Sequence, residues 1–148
     1  MTSILKFLRL PFSQKRLLLR ALCLLTVIRL ALFVLPFRFT RFILQRSSKP
    51  FSGSGVSAQS LKDQMSWSVE VAARTLPFGE NCLAKAIVTL LFFRRAHTPA
   101  ILHIGVNKTG AKPLEAHAWV ESEGQIVTGR WDRGLEYQPL TGAGRIFL

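Results

Sequence analysis

Residues 81–95, NCLAKAIVTLLFFRR, are followed by ILHIGV (101–106), AHAWVE (116–121) and QIVT (125–128). Asn81 is a good N-cap, and Leu83, Ile87, Leu90 and Leu91 form the apolar stripe of a helix running from Cys82 to Arg95. Arg94 and Arg95 suit its negative dipole end. After Thr98-Pro99 the three later runs have strand character. A turn-rich loop, Asn107–Pro113, joins the first two, and Ser122–Gly124 makes a tight hairpin between the last two. Upstream, Leu61, Met65, Val69, Ala72 and Leu76 recur at helical spacing, and Pro77-Phe78-Gly79 ends that helix. Helices first and an antiparallel sheet afterwards is an α+β plan.

The chain has 148 residues, 49% of them hydrophobic and 19% charged, which excludes a disordered polyampholyte. Two cysteines exclude a disulfide scaffold. The net charge of +12 is unevenly placed: residues 1–50 hold ten Lys and Arg and no acid, so residues 51–148 are nearly neutral. The asymmetry favours an anionic surface or an acidic partner for the first third alone. Within it, LLLRALCLLTVIRLALFVLPF (17–37) has no uncharged run longer than eight residues, because Arg29 interrupts it. That disfavours a membrane span, and no small-residue cleavage site follows to make it a signal peptide. The pattern predicts an amphipathic helical hairpin instead. Ser13 N-caps the first helix, Arg9, Arg16 and Arg20 share an arc opposite much of the Leu, and Pro36 separates a second helix over 37–45. Residues 1–46 are thus expected to be a basic apolar helical extension that packs on the core or docks a partner or a membrane surface. The aromatics there keep buried-face spacing and no reading helix or RNA platform is present, so nucleic acid is not an expected ligand. Residues 47–57, SSKPFSGSGVS, read as a linker before a domain over 58–148.

A thiol in the first turn of a helix faces unpaired backbone N–H groups, which favour thiolate. Cys82 is therefore the candidate nucleophile, while Cys23 lies in a Leu-rich helix and reads as structural. His117 is the natural base: strand alternation puts it on one face with Trp119 and Glu121, and Ala116, Ala118 and Val120 on the other. His97 and His103 are weaker candidates. The absence of CxxC and HxxxH spacings speaks against zinc, and no cofactor is expected. A Cys at a helix start packed against a sheet that carries a His is one geometry of papain-like and transglutaminase-like sites.

NCLAKA (81–86), LHIGV (102–106) and AHAWVESEG (116–124) resemble the lasso peptide maturation proteins, the transglutaminase-like peptidases that remove the leader from a lasso precursor in bacteria. FLRLPFSQKRLLLRA (7–21) and RLALFVLP (29–36) are similar to that family's opening, so the resemblance reaches nearly the whole chain. It implies a papain-like cysteine peptidase core and a Cys-His-Asp triad, with Cys82 as nucleophile and His117 as general base. The family's Asp lies about a dozen residues after the His, where this chain has Thr128-Gly129. The nearest downstream acid, Asp132, is the expected third member, ahead of Glu121 and Glu123. Asn81 or the Cys82 N–H could donate to the oxyanion. The resemblance further implies a precursor peptide as substrate, a separate leader-recognition protein and a macrolactam cyclase as partners, and a cytoplasmic setting, peripheral to the membrane if residues 1–46 reach it. The same site in an acyltransferase, and a non-catalytic membrane-associated scaffold, are the competing expectations.

Overall fold

The computed structural model describes residues 11–34, 59–77, 81–107, 116–130, 137–139 and 145–147, in which three helices precede five strands. The helices are α1 (Phe12–Val34), α2 (Gln59–Thr75) and α3 (Cys82–Arg95). The strands are β1 (Ile101–Asn107), β2 (Ala116–Ser122), β3 (Gln125–Thr128), β4 (Tyr137–Pro139) and β5 (Arg145–Phe147). This is the α+β plan, with all strand pairings antiparallel.

The predicted α3 is observed from its first residue to its last. The Asn81 side-chain oxygen accepts from the Ala84 N–H at 3.1 Å, one of the donors a helix start leaves open. At the other end His97 turns left-handed (φ 54°), its N–H bonding Arg94 and the Thr98 N–H bonding Phe93. These two bonds form a Schellman motif, so His97 terminates the helix.

In the sheet, β1 lies between β2 and the short strands β4 and β5, while β3 lies outside β2. Gly105 faces Pro139 and His103 faces Arg145, so β4 and β5 are successive pairings along one edge of β1. Sequence reading found neither, since each is only three residues long and carries little periodicity. The β2–β3 turn is a two-residue loop with both central residues at positive φ, Glu123 at 51° and Gly124 at 77°, the twist-matched hairpin geometry. Buried Lys62 on α2 donates to Glu123 at 2.6 Å and fastens this turn to the helices.

One core joins all layers. Phe93, Leu90 and Val88 of α3 are fully buried with Val69 of α2 and with Leu102, Ala118 and Val120 of the sheet. α1 enters the same core through Leu18, Ala21 and Leu25. The helix starts at Phe12, with the Lys15 N–H bonded to the Pro11 carbonyl, so Ser13 lies inside it and does not cap it. Nor is it amphipathic in the expected sense. Apolar residues cover both sides, Leu18, Ala21 and Leu25 inward and Leu19, Val27, Leu30 and Phe33 outward. The second helix expected over 37–45 and the linker at 47–57 lie outside the described residues.

Leu25 is fully buried and Leu30, on the same helix, is 60% exposed. Leu25→Ala is expected to lower unfolding stability by about 2–5 kcal/mol. Leu30→Ala should stay within about 0.5 kcal/mol of the parent in urea denaturation. Equal effects would place α1 outside the core.

Candidate active site

Packing of α3 on β2 sets the first turn of the helix beside the start of the strand. Cys82, half-buried, is hydrogen-bonded to the His117 side chain, and the backbone N–H groups of Ala118 and Leu83 are directed at its sulfur. The His117 bond lowers the thiol pKa most. Burial works against it, and the two N–H groups and the imidazolium charge add to the lowering. His117 moves the opposite way. Its bond to Cys82 raises its pKa, burial opposes this, and the Gly129 carbonyl and the thiolate charge raise it further. Thiol and imidazole thus stabilise each other as thiolate and imidazolium.

Nε2 of His117 lies 2.7 Å from the Gly129 carbonyl oxygen. A carbonyl only accepts, so Nε2 carries the hydrogen and Nδ1 is left for the thiol. The orienting position of the imidazole is therefore held by main chain, twelve residues after the base. Gly129 has φ 81°, and a Cβ there would stand 2.6 Å from the Ala118 carbonyl oxygen and 3.0 Å from Trp119 Cα. Only glycine permits this approach. A buried bond at 3.0 Å between the Thr89 and Thr128 hydroxyls ties α3 to the end of β3 and so supports the bend. The Gly129 carbonyl was missed from sequence because a backbone acceptor has no residue signature. The only signal was a glycine just past the third strand.

The other candidates are distributed as follows. Asp132 lies outside the described residues. Glu123 is turned to Lys62. Glu121 stands 3.1 Å from Nε2 of buried His103, so His103 belongs to a neighbouring pair. Trp119 lies between the two imidazoles, stacked on His103 at 5.2 Å and on His117 at 6.3 Å, and this fixes the plane of the His117 ring. The Asn81 side-chain oxygen accepts from the Ala84 N–H, so the oxyanion donors this leaves are the Asn81 amide nitrogen and the Cys82 N–H. Lys85, one turn beyond Cys82 and buried, pairs with Glu70 at 3.2 Å. Its charge opposes protonation of His117. Sequence reading overlooked this pair, whose members sit fifteen residues apart on different helices. Cys23 is exposed on α1 and shares no element with the site. Among the described residues no three of His, Cys, Asp and Glu gather as a metal site.

Two outcomes follow from this geometry. Alkylation of Cys82 by iodoacetamide should persist below the ordinary thiol pKa of about 8.5, since thiolate is lost only as pH falls through the lowered value. In His117→Ala the alkylation midpoint should rise towards that ordinary value, and an unmoved midpoint would disprove the pairing. Gly129→Ala should cost about 1–3 kcal/mol of stability through backbone strain and should slow Cys82 alkylation at neutral pH, because the carbonyl is pushed off Nε2.

A family model described as the transglutaminase-like superfamily matches residues 23–142, from within α1 to beyond β4. No curated protein and no solved structure matches the chain significantly. With a thiol at a helix start, its imidazole on the adjoining strand and a family match over most of its length, the chain belongs to the transglutaminase-like superfamily.

Proposed function

We propose that this protein is a cysteine peptidase that removes the leader from a ribosomally made lasso precursor peptide in the bacterial cytoplasm. The observation that carries the reading is the hydrogen-bonded Cys82–His117 pair, with the thiol pKa lowered and the imidazole pKa raised. The superfamily holds peptidases and acyltransferases on one site. The quoted motifs, NCLAKA and AHAWVESEG above all, support the narrower choice.

In this mechanism the Cys82 thiolate attacks the scissile carbonyl carbon, and the Cys82 N–H with the Asn81 amide nitrogen receives the developing oxyanion. The tetrahedral adduct expels the amine of the following residue, which takes its proton from the His117 imidazolium. A thioester remains on Cys82. His117, now neutral, removes a proton from water, and the hydroxide adds to the thioester and releases the leader carboxylate and the Cys82 thiolate. The other product is a core peptide with a free α-amine, the group a separate cyclase needs to close a macrolactam. A leader-recognition protein delivers the substrate. Throughout, the Gly129 carbonyl holds the His117 tautomer, and Asp132, three residues on, is the proposed acid of the triad, sharing the Nε2 hydrogen with that carbonyl.

Mass spectrometry of a lasso precursor incubated with this chain, with and without a leader-recognition protein, tests the reading. A leader fragment carrying a new carboxylate is expected, whereas a fragment joined to an added amine would make the enzyme an acyltransferase. Cys82→Ala and Cys82→Ser should abolish cleavage in folded protein, and Cys23→Ala should be nearly silent. Asp132→Asn should lower turnover by orders of magnitude, and Glu123→Gln should change little. Loss of less than about tenfold in Asp132→Asn would assign the orienting role to the Gly129 carbonyl alone.

A further inference from the structure

α1 has the length and composition of a membrane span, and only 17% of its most apolar stretch is buried. Yet it cannot leave the domain to cross a bilayer. Leu18, Ala21 and Leu25 are locked into the core, and Arg29 donates to the Pro77 carbonyl oxygen at 3.1 Å. What it leaves outside is a face that is apolar from Leu19 onward and carries arginine among its apolar residues before that. At 100° per residue, Phe12, Leu19, Cys23, Val27, Leu30 and Val34 fall within a single arc, and Phe33 borders it. Phe33 is 91% exposed and Phe12 75%. Its uninterrupted part, Leu19 to Val34, runs about 22 Å at 1.5 Å per residue, and a monomer in water rarely leaves such a surface uncovered.

The charge beside it has one sign. Arg16 lies on the same arc in its first half, and Arg20 borders it. Next to Arg20 an open groove of about 1000 Å³, floored by Leu17, Leu24 and Phe92, brings in Arg94 and Arg95 from the end of α3. Residues 1–50 contain no acid to neutralise any of them. A second copy of the chain would bring +12 against +12. An apolar helix face with arginines on and beside its first half is the geometry that lies in the plane of an anionic interface.

We propose that the outer face of α1 rests on an anionic lipid bilayer, with Leu19, Val27, Leu30 and Phe33 in the acyl boundary and Arg16, Arg20, Arg94 and Arg95 on lipid phosphates. The helix lies on the membrane and holds the domain beside it. The proposal stands on this surface alone and does not rest on the peptidase reading.

The test uses the full chain with vesicles of phosphatidylcholine alone and of phosphatidylcholine mixed with phosphatidylglycerol. Co-sedimentation with the anionic vesicles only is expected, weakening as salt rises. Replacing Arg16 and Arg20 together by Gln should reduce partitioning about thirtyfold, five- to sixfold for each basic residue. Val27→Asp with Leu30→Asp should abolish it. Both positions are exposed, and circular dichroism together with the Cys82 alkylation rate confirms that the variants stay folded. In Cys82→Ser, an environment-sensitive fluorophore on Cys23 should shift to the blue on adding anionic vesicles. Equal sedimentation with both vesicle types overturns the proposal, as does binding that the substitutions leave unchanged. So does no binding at all, and a blue shift produced only by an acidic protein would make the face a protein-docking surface.

Discussion

Everything at the site depends on the contact between the first turn of α3 and the start of β2. A helix start offers N–H groups without partners, and a strand start offers a further N–H and, one residue before it, a side chain on the opposite face. When the two meet, the Ala118 N–H and the His117 imidazole reach one sulfur that already sees the Leu83 N–H. None of these groups is unusual alone. The contact exists because Ala118 and Val120 on the other face of β2 are driven against Leu90 and Phe93 of the same helix. The hydrophobic core thus sets the chemistry by fixing an angle and an offset.

The electrostatics are a contest between burial and pairing. Removing a thiol and an imidazole from water disfavours the charge on each, so isolated groups in these positions would both be neutral. Their mutual hydrogen bond outweighs that cost, lowering the thiol pKa and raising that of the imidazole, so each favours the charged form of the other. Lys85, paired with Glu70, works against the imidazolium, since it disfavours a second cation nearby, and it is the smallest of the influences on His117. The Lys62–Glu123 pair makes the equivalent link between α2 and the hairpin.

Much of this was legible in the chain because it is local. Asn81 before an apolar stripe announced α3 and placed Cys82 at its start, and the alternation in AHAWVE put His117 and Trp119 on one face. The β2–β3 hairpin was legible too, because Glu123-Gly124 between two apolar runs is a turn signal. The illegible parts are those that arise only in three dimensions. β4 and β5 are defined by pairing to β1 and not by their own pattern. α1 misled because apolar residues on both sides erase the periodicity that separates a buried face from an exposed one. The partner of the His117 ring nitrogen was illegible because a carbonyl belongs to every residue, and the search was for a side chain.

That carbonyl changes what natural selection can act on. A catalytic acid is encoded by one side chain and can be lost in a single codon change while the fold survives. Here the observed group that turns the imidazole is a conformation, a left-handed glycine pressed against β2. Such an acceptor has no proton to gain, so acid cannot silence it, and it survives a change of side chain at any neighbouring position that preserves the bend. Its weakness lies at Gly129 itself, where any larger residue strains the backbone. In a population of related sequences, constraint would therefore fall on a residue with no functional group at all.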